Sequence, residues 1–186
     1  ALVVIDVLLG NGPISNSYLA GYAIRDFSMV ERLLTQPRVI FFYLSLVLWP
    51  TPGRYSLEHD VVTSTSFMVP STTLLSLAGL TILLLAALYL FVRPKTRVVG
   101  FLLLWPAITL VIESSFIPLE MVFEHRMYLP LVGLALLPGL GLVAINEHRP
   151  AFTFGYIAVL LVVAAGLAAS TSERTKLWQD PLTLHA

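Results

Sequence analysis

The sequence predicts an all-α protein, a polytopic transmembrane helical bundle, on three observations. Apolar residues make up 57% of the 186 positions and charged residues only 12%, against about half and about a quarter in soluble domains. The apolar residues come in uninterrupted blocks, without the alternating or helical-period pattern of half-buried elements. Several blocks approach the ~20 residues that a helix rising ~1.5 Å per residue needs to cross a hydrocarbon core of ~30 Å. The expected architecture is a single transmembrane domain over residues 1–186, with about four full spans, a short or re-entrant segment and the end of an N-terminal helix.

Taken in order, residues 1–10 are apolar around Asp6 and lack the basic start of a signal peptide. They read as the end of a helix that begins upstream, and the terminal Leu182 to Ala186 as the edge of a fragment. Residues 11–37 and 51–71 are polar and broken by Pro and Gly, so both read as extramembrane loops. Within the first, Ser28 followed by Glu31 has the form of a capping box opening a short surface helix, which Thr35-Gln36-Pro37-Arg38 should interrupt. Residues 39–49 are apolar, but their helix would rise only ~16 Å, so this piece either borrows Leu33 and Leu34 to span or is re-entrant.

Residues 74–92, 98–116, 128–145 and 152–169 read as the four spans. The second contains Pro106 and carries Glu113 at its far end; the third contains Pro130 and Pro138, with Gly133, Gly139 and Gly141 suited to close helix packing. Residues 171–186 read as the start of a linker, with Arg174, Lys176 and Trp178 as an interfacial anchor. The densest basic loop, Arg93 to Arg97, belongs in the cytoplasm by the positive-inside rule. Alternation then places the Glu58-His59-Asp60 loop, residues 117–127 and the C-terminal segment together on the outer face.

Composition also excludes. With no cysteine there is no disulfide, thiolate or cysteine metal site, and with zero net charge and no basic run there is no nucleic-acid partner to expect. Nucleotide-binding glycine motifs, nucleophile elbows and zinc-protease motifs are absent, and no resident metal is expected.

Charge concentrates at Glu113, Glu120 and Phe123-Glu124-His125-Arg126-Met127-Tyr128-Leu129-Pro130, between two long apolar runs. Charges near a bilayer usually face a cavity or a partner. One reading makes Arg126 a phosphate clamp, its planar guanidinium matching phosphate oxygens, with His125, Glu124, Glu120 and Glu113 orienting it or handling protons. The plainer reading is an interfacial loop in which Arg126 snorkels and pairs with Glu120 or Glu124. Were residues 119–128 helical, Glu120, Glu124 and Tyr128 would share a face. Glu58, His59 and Asp60 form the second cluster, able to supply a general base but equally a solvated loop; their spacing matches no standard metal motif.

The word order is more specific than the chemistry. Glu31-Arg32-Leu33-Leu34-Thr35-Gln36-Pro37-Arg38, Ser56-Leu57-Glu58-His59-Asp60, Ile112-Glu113-Ser114-Ser115-Phe116-Ile117-Pro118-Leu119-Glu120, Phe123 to Pro130, and Lys176-Leu177-Trp178-Gln179-Asp180-Pro181 together resemble bacterial multi-pass membrane proteins with C-terminal tetratricopeptide repeats. These are related to the transmembrane and tetratricopeptide-repeat O-mannosyltransferases of the GT-C class. The resemblance implies an enzyme of the bacterial inner membrane that moves a sugar, by inverting transfer, from a polyprenyl-phosphate donor to an acceptor, in particular a protein, on the outer face. A divalent metal is compatible with it, and no other cofactor is implied. It assigns Arg126 to the donor phosphate, with His125 and Glu124 in support, and Glu58, His59 and Asp60 to the acceptor side. The family's catalytic aspartate is expected in an earlier outer loop and its repeats after Pro181, so this chain would hold half of the membrane domain. The main rival is a non-catalytic transmembrane subunit of a larger membrane complex; a transporter or a polysaccharide-polymerising enzyme is a third reading.

Overall fold

The computed structural model describes residues 21–51, 54, 59 and 61–177, and every regular element among them is helical. Five α-helices follow one another: α1 (Met29–Leu48), α2 (Thr72–Val92), α3 (Arg97–Leu110), α4 (Tyr128–His148) and α5 (Thr153–Leu177), with 3-10 turns at Glu124–Met127 and Pro150–Phe152.

The capping box forms as the sequence predicts. Ser28 Oγ accepts from the Glu31 backbone N–H, and Glu31 Oε2 accepts from the Ser28 backbone N–H at 2.8 Å. That backbone N–H, helped by the Ser28 hydroxyl, holds the Glu31 carboxyl below its ordinary pKa. The expected break at Thr35 to Arg38 does not occur. Helix α1 runs for 20 residues straight through Pro37, so the short surface helix expected after Ser28 and the apolar piece 39–49 are joined in one element through the expected break. The reason is burial: Arg32, Thr35, Gln36 and Pro37 are all buried against other parts of the chain, and those contacts outweigh the one hydrogen bond that proline removes. At the other end Arg54 donates to the Ser45 and Trp49 carbonyls, each at 3.1 Å, satisfying acceptors that a helix C-terminus leaves open.

Three stretches are long and apolar enough to cross a membrane: Thr72–Val92, Glu124–His148 and Pro150–Glu173, with 6%, 11% and 0% of their apolar windows buried inside the chain. Helices so apolar and so uncovered suit lipid. The fourth expected span is shorter than its apolar run. Helix α3 ends at Leu110 after 14 residues, or ~21 Å, and residues 111–123 leave helical conformation. There the Leu110, Ile112, Ile117 and Phe123 carbonyls are taken up in local turns while others serve a distant side chain, described below.

Consecutive helices pack as neighbours, α1 on α2, α2 on α3, α3 on α4 and α4 on α5. A Cβ on Gly100 would lie 2.2 Å from the Phe91 backbone nitrogen, so this glycine lets the α2–α3 corner close. A Cβ on Gly133 would meet Trp105 at 2.7 Å and the Leu102 carbonyl at 2.9 Å, the close α3–α4 approach that small residues permit. Gly141 similarly sits under Tyr156, whereas Gly139 has nothing within 4 Å and plays no packing part. The Trp105 indole N–H donates to the Leu129 carbonyl at 2.8 Å across the same α3–α4 seam.

The buried core is not among the long helices. Val39, Tyr43, Leu110, Met121, Val122 and Met127 form it, between α1 and the connection from α3 to α4.

Candidate functional site

The connection of residues 111–127 crosses α1 as an arch, and α1 offers it one stripe. At 3.6 residues per turn Arg32, Gln36, Val39 and Tyr43 share a face, and all four are buried. Arg32, with 0% exposure, fans its guanidinium under the arch: Nε donates to the Ser115 carbonyl at 3.0 Å, Nη2 to Glu113 O at 2.7 Å, and Nη1 to the Leu119 carbonyl and to Glu120 O at 3.3 Å. Four backbone carbonyls of an irregular segment thus find donors on one side chain, which is what keeps a non-helical stretch stable away from water. About eleven residues further along α1, or ~16 Å, Tyr43 clamps the arch again. Its hydroxyl accepts from the Phe123 N–H at 2.8 Å and donates to the Phe123 carbonyl at 3.1 Å.

The charged groups of the arch meet around these two posts. Arg126, buried at 9% exposure, places Nε 3.3 Å from Glu113 Oε2 and donates from Nη1 to the Glu120 carbonyl at 2.7 Å. The Glu113 contact is an ion pair without the alignment of a hydrogen bond. The guanidinium also lies over the Phe123 ring, 5.0 Å from its centroid. Glu120 pairs its carboxylate with Arg25. Glu124 accepts from His59 Nε2 at 3.1 Å, and the His59 ring stands edge-on to Phe42 at 5.0 Å. His125 points outward, exposed, with its ring stacked on Phe123 at 5.1 Å.

The sequence-predicted site residues are therefore brought together in part. Arg126 holds the Glu113 carboxylate and the Glu120 carbonyl in one group, His59 and Glu124 form a separate pair, and His125 lies outside both. Glu58 and Asp60 lie outside the described residues, as do Asp6 and Trp178. The expected pairing of Arg126 with a Glu120 or Glu124 carboxylate is corrected: its carboxylate partner is Glu113, and Glu120 contributes a backbone oxygen. Residues 119–123 are not helical, so the shared helical face of Glu120, Glu124 and Tyr128 does not form. Sequence reasoning missed Arg32, Gln36, Tyr43 and Arg25. The available signal was the spacing of Arg32, Gln36 and Tyr43 on one face of a helix that would have to pass through Pro37.

Beside the arch an apolar groove of about 390 Å³ opens between α1, α2, α3 and α4. Ile40, Leu83, Leu103 and Leu110 line it, and it runs to Val111 and Ser114 in the arch itself. Ser114, the sequence neighbour of Glu113, is the last arch residue on the wall of the groove, and neither Glu113 nor Arg126 lines it.

Comparison of the chain with protein-family models, with curated proteins and with solved structures finds no match.

Proposed function

We propose that the chain belongs to the membrane domain of a GT-C-like glycosyltransferase of the bacterial inner membrane. The donor is a polyprenyl-phosphate sugar and the acceptor, in particular a protein, lies on the outer face. The observation that carries the reading is that the apolar groove reaches Ser114, the residue beside Glu113, whose carboxylate pairs with Arg126. The prenyl chain occupies the groove and the donor phosphate reaches Arg126. Glu113 has a side chain 38% exposed, so its carboxylate can swing aside and yield Arg126 Nε to phosphate, a geometry guanidinium suits. Holding that phosphate stabilises the charge that develops on the leaving group. The catalytic carboxylate is assigned, by resemblance, to an earlier loop. Four crossings follow if α3 and residues 111–116 together complete the fourth.

The test supplies full-length protein with a polyprenyl-phosphate sugar and an acceptor peptide. Arg126→Ala should lower transfer by roughly 100-fold, the effect typical of losing one oxyanion donor. Ala107→Phe, which fills the groove and leaves the arch untouched, should raise KM for long-chain donors and spare short-chain ones. Transfer unchanged in both variants refutes the reading. A second reading, a non-catalytic accessory subunit of a larger complex, draws on α5, whose apolar window buries nothing within the chain; wild-type protein inactive with every lipid-linked sugar, yet co-purifying with a fixed membrane partner, would favour it.

A further inference from the structure

On the flank of α1 turned from the groove lies a second hollow, of about 510 Å³. Arg38, Phe41, Phe42, His59, Thr72 and Ser76 are among its walls. Arg38 donates from Nη1 to the Val62 carbonyl at 2.6 Å and to Ser64 Oγ at 3.3 Å, which sets its side chain in place. Ser64 is itself fully buried and bound to Thr35 Oγ1 and Thr73 Oγ1, each at 2.8 Å, so the wall behind Arg38 is rigid. Among the described residues no carboxylate pairs with Arg38, and a guanidinium cannot shed its charge. Thr72 opens α2, whose first turn has no side-chain cap, so that helix end adds partial positive charge on the same side.

His59 gives the hollow a second chemical feature. Its Nε2 lies 3.1 Å from Glu124 Oε1, and an ionised carboxylate only accepts hydrogen bonds. With Nε2 as the donor of that contact, the neutral tautomer has its lone pair on Nδ1. Nδ1 has no partner among the described residues.

We infer that this hollow binds inorganic phosphate, an oxyanion whose dianion still carries a P–OH beside its charge. Arg38 meets the charge, Thr72 and Ser76 supply hydroxyl donors, and His59 Nδ1 accepts from P–OH. A phosphodiester or sulfate has no such proton at neutral pH, and a monoester, with a second pKa of about 6, has largely lost it, so each leaves Nδ1 unmatched. The site is separate from the Glu113–Arg126 pair and stands whether or not the chain transfers sugars.

The experiment titrates inorganic phosphate, and sulfate in parallel, into full-length protein in phosphatidylcholine nanodiscs at about pH 7.5, with calorimetric detection. Phosphate should bind saturably, and sulfate about tenfold more weakly, equivalent to ~1.4 kcal/mol. Arg38→Gln should weaken phosphate by about tenfold or more. Thr72→Val, which touches neither Val62 nor Ser64, should weaken it several-fold with an unchanged melting midpoint, so the test does not depend on how well Arg38→Gln folds. No saturable phosphate binding, sulfate bound as tightly as phosphate, competition by the diester phosphatidylglycerol added to the nanodiscs, or wild-type affinity in both variants overturns the site.

Discussion

Replacing Arg32 by Met should unfasten the arch from α1 while leaving the lipid-facing helices inserted. Methionine keeps the length and much of the apolar stem but removes every donor. The guanidinium has 0% exposure and serves the carbonyls of Glu113, Ser115, Leu119 and Glu120. A buried carbonyl left unpaired costs ~1–3 kcal/mol. The connection can turn part of itself to water, so ~1 kcal/mol for each of these carbonyls is the reasonable scale, about 4 kcal/mol in all. Arg32→Lys keeps the charge, but its compact ammonium cannot fan across so wide a set, and roughly half of the loss should persist. The assay is thermal unfolding in nanodiscs, joined to amide hydrogen exchange read along residues 113–124. Arg32→Met should lower the midpoint and raise exchange in that segment, with residues 74–90 of α2 unchanged. If the midpoint and the protection of residues 113–124 both match wild type, the claim that Arg32 holds the arch is wrong.

Two further outcomes follow from other elements. Glu31 has its folded pKa held below the ordinary 4.5; a depressed acid stabilises the fold above its unfolded pKa and loses that contribution as pH falls through the lowered folded value, so the melting midpoint should decline on acidification, and Glu31→Gln should lack this part of the decline. Gly100→Ala drives a Cβ to 2.2 Å from the Phe91 nitrogen and should open the α2–α3 corner, whereas Gly139→Ala meets nothing within 4 Å and should gain up to ~1 kcal/mol of helix propensity; opposite shifts in midpoint are expected, and equal shifts refute the packing assignment.

The parts of this fold legible in the sequence are those set by the bilayer alone. Helices α2, α4 and α5 are long apolar runs because lipid offers no polar partner to a backbone, and that requirement is local. Helix α1 was obscured because its legibility depends on tertiary contacts. Thr35, Gln36 and Pro37 look like a break, yet they face protein. The end of α3 was hidden for the same reason: residues 111–116 are apolar enough to continue a helix, but the Glu113 and Ser115 carbonyls are claimed by Arg32, 81 residues away from Glu113, and the Phe116 carbonyl by Tyr22. The density of charge around Phe123 to Pro130 was plain. Its wiring was not, since the contacts of His59 with Glu124 and of Tyr43 with Phe123 join positions 65 and 80 residues apart.

That separation has a consequence for biosynthesis. Arg32 leaves the ribosome well before Glu113, which follows 81 residues later. At ~5–20 residues per second, the interval is roughly 4–16 s. Throughout it the guanidinium has none of its four carbonyls, and an unpaired charge is costly in lipid. The first half of α1 therefore closes under the arch only after residues 113–120 emerge, with α2 and α3 made in the interval. Stretching that interval, for instance with slow codons between α2 and α3, should lengthen the time during which the N-terminal part of the chain is open to membrane proteases.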